Sequence, residues 1–285
     1  MIGFLAALTF GAGAMACSAT VGAETTGSNA QKLAVVDVRV QQGAGSETLR
    51  FEAAARFVAV KEPGVPDDAL NVLGLAWGAP PVGVCTLGDT LPAAPNAAVR
   101  VDLRDLSPVA LELAADDGAP LLVRLEPRAF PDVAGVVSGV VFVAPSSTQV
   151  AATPRLASLR VGGATLSALE LPELPARVQL VDATSVEGTY SIDAHGLDVI
   201  ISSLAKDGPK DSDRFAIDVV RAGVVRAHCG FDGAGKLRID ALSLGGAGEA
   251  TLVVRAQRRV LRDDPTLGAV DARLERALEL KVVVR

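Results

Sequence analysis

Apolar and polar side chains alternate along most of this chain with a period of two. In residues 36–41, three valines alternate with Asp37, Arg39 and Gln41, and residues 278–284 carry leucine or valine at every second position. Turn-forming residues interrupt these runs at intervals of about ten residues. Such alternation is typical of β-strands that bury one face and leave the other in water.

The helical period of about 3.6 residues is absent from every window of about twelve residues. Residues 272–280 come nearest to it, and we interpret them as one helical turn that leads into a closing strand. The sequence therefore predicts an all-β protein.

Two stretches of the chain are similar to each other, at residues 70–115 and 214–256. Each predicts four strands, the first of which lies at 71–77 in the earlier copy, and each places a cysteine after its first turn, Cys85 and Cys229. Residues 99–103 match residues 237–241 in side-chain type at every position. This similarity predicts an internal repeat, and hence two units descended from one.

Residues 144–154 form the best candidate linker, because they are small or polar and lie between prolines. A chain of 285 residues is long enough for two domains of about 100–150 residues. We therefore expect two tandem antiparallel β-sandwiches, immunoglobulin-like or fibronectin-like, at residues 32–143 and 155–285.

The first sixteen residues are uncharged and consist mostly of apolar and small side chains. The run is shorter than the roughly 20 apolar residues of a membrane-spanning helix. It suits the apolar core of a signal peptide, of about 7–15 residues, followed by the small-x-small site Ala14-Met15-Ala16. Ordinary cleaved secretion and a cytosolic protein with an apolar start are the alternatives.

Together with Cys17, this site resembles the lipobox of bacterial lipoproteins, with Ala14 at the position where leucine is usual. The resemblance covers residues 1–18 and implies that Cys17 is lipid-modified and is the first mature residue. It also implies a place in the bacterial cell envelope, on the outer membrane or in the periplasm, with the membrane as partner through the lipid anchor. Residues 18–31 are rich in Ser, Thr, Gly and Ala and would form a flexible tether.

Composition argues against two classes of partner. The net charge is −6 and no run of Lys or Arg occurs, whereas a nucleic-acid partner requires a concentrated basic surface. Aromatic residues make up only 4% of the chain, which leaves little material for stacking bases or sugars. Another envelope protein remains a candidate partner.

If Cys17 is acylated, Cys85 and Cys229 remain as an even pair in an oxidising compartment. The repeat would place them at equivalent positions of separate domains, so the preferred interpretation is two buried free thiols. The alternative is a disulfide bond that closes a loop of about 145 residues.

Candidate metal ligands are few. Asp207, Asp211 and Asp213 lie in a charged loop and carry the oxygen ligands that calcium prefers, but they lack EF-hand spacing, so a solvated loop is preferred. His195 and His228 are the two histidines, and neither belongs to a cluster with zinc spacing. The sequence predicts no metal site and no cofactor.

Motifs for catalysis are also missing from the sequence. Residues 230–236 are similar to a phosphate-binding loop, but a strand-like run follows where a helix is required, so we interpret them as a hairpin turn. No serine-hydrolase elbow or zinc-protease helix occurs. The arginine cluster after residue 254 predicts an outward face balanced by Asp263 and Asp264, with an acidic partner as the alternative; it comprises Arg255, Arg258, Arg259 and Arg262.

These features favour a non-enzymatic envelope protein that acts as a structural spacer or a binding module. An envelope enzyme whose catalytic residues come from distant strands is the alternative hypothesis. A third hypothesis is an assembly subunit with residues 278–285 as an unpaired or donated strand.

Overall fold

The computed structural model describes residues 31–44, 49–60, 66–75, 81–88, 100–114, 119–133, 137–146, 148–150, 154–175, 177–202, 213–231 and 235–285. Within these ranges the all-β prediction is confirmed. Two short helices are present, α1 (Pro66–Val72) and α2 (Ala241–Leu244). The strands, in chain order, are β1 (Gln31–Gln42), β2 (Leu49–Val60), β3 (Cys85–Leu87), β4 (Val101–Leu103), β5 (Val109–Ala114), β6 (Leu121–Val133), β7 (Val137–Val143), β8 (Gln149–Val150), β9 (Leu156–Val161), β10 (Ala164–Glu170), β11 (Arg177–Leu180), β12 (Thr184–Val186), β13 (Thr189–Ile192), β14 (Gly196–Ser202), β15 (Asp213–Arg221), β16 (Val224–Phe231), β17 (Gly235–Asp240), β18 (Gly248–Asp264) and β19 (Gly268–Val284).

Most strands belong to one continuous sheet with the order β10-β9-β5-β6-β7-β4-β2-β1-β19-β18-β15-β16-β3. Strand β6 pairs with β5 through residues 121–125 and with β7 through residues 126–133, so it passes from one layer of the structure to the next. A second sheet has the order β11-β14-β17. Long strands that change partners in this way let one sheet fold over its own core.

The two longest strands of the sheet, β18 and β19, form a hairpin that pairs along its whole length from Gly248↔Val284 to Asp264↔Gly268. Its turn is closed by Asp264, whose Oδ1 accepts hydrogen bonds from the backbone N–H groups of Thr266 and Leu267 at 2.8 and 2.9 Å. Gly268 adopts φ +82°, and a Cβ there would lie 2.4 Å from the carbonyl oxygen of Lys32. Only glycine allows this approach between the hairpin and β1.

Two large apolar clusters lie on one face of the central strands. The first packs β1, β2 and the early part of β19 against β5, β6, β9 and β10, with Phe51, Leu111 and Leu159 fully buried. The second packs β15, β16, β18 and the late part of β19 against β14, β17 and α2, with Ile217 and Ile239 fully buried. The period-two pattern of the sequence is therefore explained by burial of alternate side chains.

A band of buried charge separates the two clusters. Ala256 on β18 belongs to the second cluster and Val260 packs on the first, so Arg258 lies between them. Arg258 donates from Nε to Asp213 Oδ1 at 2.6 Å and from Nη2 to Oδ2 at 2.9 Å. On β19, Arg276 occupies the corresponding place and donates to the carbonyl oxygen of Pro154.

A third, smaller cluster covers one end of the opposite face. Here α1 packs Ala69 and Leu70 on Leu33, Val58 and neighbouring valines. Asp67 and Asp68 lie in the first turn of this helix, where negative charge is favourable. The predicted strand at 71–77 is therefore wrong at residues 71 and 72, which end the helix, and residues 76–77 lie outside the described ranges.

The internal repeat is contradicted by the strand pairing. In the earlier copy, β3 pairs with β16, β4 with β2 and β7, and β5 with β6 and β9, so its strands do not pair with one another in the described sheet. In the later copy, β15 pairs with both β16 and β18. The helical turn expected within residues 272–280 is also wrong, because β19 is extended throughout.

Strands on either side of the predicted linker at residues 144–154 pair with each other. Strand β1 pairs in parallel with β19, and β5 pairs with β9. Part of the predicted linker is itself a strand, β8, which pairs with β2. The division into residues 32–143 and 155–285 stays a prediction, and one sheet runs through both.

The buried Arg258–Asp213 pair yields a stability prediction. Replacing Arg258 with methionine removes the guanidinium that binds the buried Asp213 carboxylate through two hydrogen bonds, and we expect a loss of about 3–5 kcal/mol in the free energy of unfolding, measured in urea. The double variant Arg258→Met/Asp213→Leu should recover most of that loss. The control is Arg128→Met, whose pair with Glu126 is exposed and should change stability by less than about 1 kcal/mol. Equal stability of the two single variants would contradict the buried-pair account.

Candidate functional site

The face of the central strands opposite the two large clusters carries charged and amide side chains. Side chains alternate between the two faces of β1, so Val36 and Val38 lie in the core and Asp37 and Arg39 lie on this opposite face. We call it the polar face, and it consists of Asp37, Arg39, Glu52, Arg56, Asp218, His228, Arg255, Gln257, Arg259, Asp271, Arg273 and Glu275.

Glu275 on β19 is the centre of the polar face. Register places it between Arg39 on β1 and Gln257 on β18. Its Oε1 lies 2.8 Å from Arg39 Nε, and its Oε2 accepts hydrogen bonds from Gln257 Nε2 at 2.9 Å and Arg255 Nη1 at 3.5 Å. Arg39 also forms an ion pair with Glu52 on β2, with 3.6 Å between Nη1 and Oε2. Ion pairs thus cross four neighbouring strands.

The network extends from Arg255 to a histidine near the edge of the sheet. Arg255 forms an ion pair with Asp218 Oδ2, and Asp218 Oδ1 lies 2.8 Å from His228 Nδ1. The Asp218 side chain is 2% exposed, whereas that of His228 is 41% exposed. The hydrogen bond to Asp218 raises the pKa of His228, against the opposing effect of burial.

A second buried carboxylate, Asp271, lies between two arginines on the same face. Its Oδ1 accepts from Arg259 Nε at 2.8 Å and its Oδ2 from Arg273 Nη2 at 2.8 Å. Burial alone would raise the pKa of Asp271, but these hydrogen bonds outweigh it, so the pKa is lowered. Asp271 therefore stays ionised although it is buried.

A groove of about 620 Å³ lies over part of the polar face, beside residues 143–146 at the end of β7. Ala54 on β2 lines it and leaves room where a longer side chain would fill the space. Four guanidinium groups and three carboxylates surround it, a mixed lining within a chain of net charge −6. The charged and amide lining residues are Asp37, Arg39, Glu52, Arg56, Arg255, Gln257, Arg273 and Glu275. Such a lining offers hydrogen-bond donors and acceptors to charged groups of a ligand.

The two cysteines are placed together by the structure. Cys85 on β3 and Cys229 on β16 face each other in the antiparallel ladder and form a disulfide, with S–S 2.12 Å and Cα–Cα 4.0 Å. The preferred interpretation of two free thiols is therefore wrong, because β3 pairs directly with β16. Burial of Cys229 in the second cluster was expected and is observed.

The calcium candidates are not brought together in the described residues. Asp213 begins β15 and is buried against Arg258, so it is not part of a solvated loop, while Asp207 and Asp211 lie outside the described residues. In the described ranges, no group of three or more His, Cys, Asp or Glu side chains is arranged to hold a metal ion. Cys17, the candidate lipidation site, also lies outside these ranges.

The surroundings of His195 are not those of a metal site, and a strand rather than a helix follows the glycine-rich residues 230–236. The backbone N–H of His195 donates to Asp193 Oδ1 at 2.7 Å, and the neighbouring Asp198 pairs with Lys236 and Arg238. Residues 230–236 lead from β16 into the strand β17, as expected, but these strands belong to different sheets, so the predicted hairpin between them is wrong.

The arginine cluster is also engaged differently from the prediction. Arg255, Arg258 and Arg259 pair with Asp218, Asp213 and Asp271, and Arg258 is buried, so the predicted outward face is wrong for Arg258. Residues 278–284 pair with β18 on one side and, through residues 281–284, with β13 on the other. This segment is not an unpaired strand.

The alternation pattern did not lead us to predict the polar face. A signal is present in Asp271, Arg273 and Glu275, three charged side chains at alternate positions of a strand whose intervening residues are apolar. On a strand, that spacing places all three charges on one face.

Neither helix in the described part of the chain has the length and apolar composition needed to cross a membrane.

The His228–Asp218 pair predicts a pH dependence. The folded-state pKa of His228 is raised above 6.5, so its contribution to stability is fully present below about pH 6.5 and is lost as pH rises through the folded-state pKa. NMR titration should give a raised pKa for His228, with its resonance assigned by its loss in His228→Gln. Asp218→Asn should lower it towards the usual value. An unchanged pKa in Asp218→Asn would contradict the pairing.

The disulfide predicts a second stability effect. It joins residues 144 positions apart, so Cys85→Ala/Cys229→Ala releases a long loop in the unfolded chain. We expect the free energy of unfolding to fall by about 2–5 kcal/mol in urea titrations. The reduced wild-type protein is the matched comparison and should resemble the double variant. Equal stability of the oxidised protein and the variant would be the contrary result.

Comparison with known proteins gives little further information. No protein-family model matches the chain, and no curated protein matches its sequence. Among solved structures, the chain is similar to the adhesin InvE of Yersinia pseudotuberculosis, at 12% sequence identity and a TM-score of 0.17, over 84% of this chain and 58% of that chain. With so low a TM-score, the two backbones superpose too poorly for the likeness to bear on fold or function.

Proposed function

We propose that this protein is an exported, non-enzymatic protein of the bacterial cell envelope, anchored by lipid at Cys17, that acts as a binding module. The observation that carries export is the Cys85–Cys229 disulfide. Structural disulfides persist in oxidising compartments and are rare in the cytosol. The apolar leader and the lipobox-like site at Cys17 support the same location.

The architecture supports a binding role rather than a spacer alone. We propose that the two apolar clusters correspond to two sandwich-like units that share the β18–β19 hairpin. The groove lies on the opposite face of that hairpin, and residues 18–31 would hold it away from the membrane.

An envelope enzyme is the second candidate, favoured by one observation. Asp218 binds His228 Nδ1 and would fix the orientation of the imidazole, which leaves Nε2 to act as a general base. Loss of biological function in His228→Gln, with the stability and fold retained, would favour this candidate over a binding module.

Lipid attachment is tested by labelling with radioactive palmitate in a bacterial host. We expect the wild-type chain to incorporate label and Cys17→Ser to lose it, since the thiol is the site of modification. The matched control is Cys85→Ala, which removes a different cysteine, one that is disulfide-bonded, and should keep the label. Retained labelling in Cys17→Ser would contradict the anchor, and an unlabelled wild-type protein in the secreted fraction would indicate ordinary cleaved secretion.

A further inference from the structure

The open part of the groove is a gap over Ala54 that is bounded by two positive and two negative side chains. Arg56, Ala54 and Glu52 occupy alternate positions of β2 and so point to the same side. In the ladder, Asp37 of β1 is directly opposite Ala54, and Arg39 is directly opposite Glu52. All five residues line the groove.

Three of these four charged side chains keep unused hydrogen-bonding capacity, and the fourth, Arg39, is 40% exposed. Arg56 donates to Asp37 from Nη1 at 2.5 Å and makes no other hydrogen bond with the described residues, so Nε and Nη2 stay available. Glu52 approaches Arg39 only at 3.6 Å, beyond hydrogen-bond distance. The Asp37 and Glu52 side chains are 35% and 54% exposed, so a ligand can reach their oxygens.

Deeper in the groove the charges are less exposed and more fully engaged. The Glu275 side chain is 12% exposed and contacts Arg39, Arg255 and Gln257. The floor is therefore a fixed network that holds Arg39 through Nε, and the outer part of the Arg39 guanidinium lies with Asp37, Glu52 and Arg56 on the side where a ligand would bind. Preorganised charges of this kind recognise a ligand without first reordering the protein.

We propose that the gap over Ala54 binds a short zwitterionic peptide, with a carboxylate of the peptide on Arg56 and Arg39 and an ammonium group on Asp37 and Glu52. A ligand of one charge sign would gain two of these contacts and meet repulsion from the other two side chains. A zwitterion satisfies all four. The groove volume of about 620 Å³ lies within the range of small-ligand sites and exceeds the size of a single amino acid.

This inference rests on the proposed binding role of the groove and is independent of export and of the lipid anchor. Its test uses the full chain, purified with its disulfide intact, and isothermal titration calorimetry with three peptides. The zwitterionic probe is the tripeptide Lys-Ala-Glu with free termini. The anionic probe is N-acetyl-Ala-Ala-Glu, and the cationic probe is the amide of Lys-Ala-Ala.

We expect the zwitterionic peptide to bind at least about tenfold more tightly than either single-sign peptide. The affinity should fall as salt is added, because charged contacts near the surface are screened. Absence of binding, or equal affinity for all three peptides, would overturn the proposal. Preference for the anionic peptide alone would overturn it in favour of a simple anion site.

Variants separate ligand binding from a purely structural role. Arg56→Gln should weaken binding of the zwitterionic peptide by about tenfold and shift preference towards the cationic peptide. Asp37→Asn should weaken it and shift preference in the opposite direction, towards the anionic peptide. A structural role alone would not move the preference in two directions. The charge control is Arg128→Gln on β6, whose exposed partner is Glu126.

A space-filling variant tests the gap without changing any charge. Ala54→Leu should abolish binding because its side chain occupies the gap, and the control Ala110→Leu, at a partly exposed position of β5, should bind as the wild type does. As a control, thermal unfolding of each variant is measured to establish that it is folded at the temperature of the titration. Normal binding by folded Ala54→Leu would overturn the proposal. If peptide binding fails while palmitate labelling of Cys17 succeeds, this inference falls and the envelope location stands.

Discussion

Strand β19 imposes the constraint on which the rest of the structure depends, because from residue 270 to residue 277 it is buried on both faces. One face carries Val270, Ala272 and Leu274, which enter the first apolar cluster. The other carries Asp271, Arg273 and Glu275, and an ion that loses its hydration without gaining a partner costs several kcal/mol. The neighbouring strands must therefore supply opposite charge or hydrogen-bond partners at matching register, and β1 and β18 do so with Arg39, Gln257 and Arg259.

The same strand links the two apolar clusters into one body. Its early residues belong to the first cluster and Val282 and Val284 to the second, while β18 follows the same division in reverse order. Because β1 pairs in parallel with β19, a strand near the start of the described chain is held by one at its end. The disulfide between β3 and β16 adds a second long-range connection. Both connections join early to late parts of the chain, so the two clusters depend on each other more than consecutive domains would.

The all-β class was predictable because a strand that buries one face requires apolar residues at every second position, as in residues 36–41. Strand partners were not predictable from the same pattern, since alternation records which face is buried but not which strand lies beside it. The supposed repeat illustrates this, because similar strand-like runs at 99–103 and 237–241 became β4 and β17, in different sheets. Helix α1 is only seven residues long and is held by packing of Ala69 and Leu70, a contact no local pattern records. The disulfide could not be predicted for the same reason, because it depends on the pairing of β3 with β16.

The candidate site follows from how exposure changes across the polar face. Around Glu275 the ion pairs are enclosed, and their role is to allow a charged residue to remain in a central strand. Towards β2 the same alternation of charge continues, but Glu52 and Asp37 are open to water and Ala54 leaves a gap between them. Ala54, a small residue beside these partly exposed charges, leaves the space that the proposed peptide would occupy, whereas around Glu275 the charged groups already bind one another.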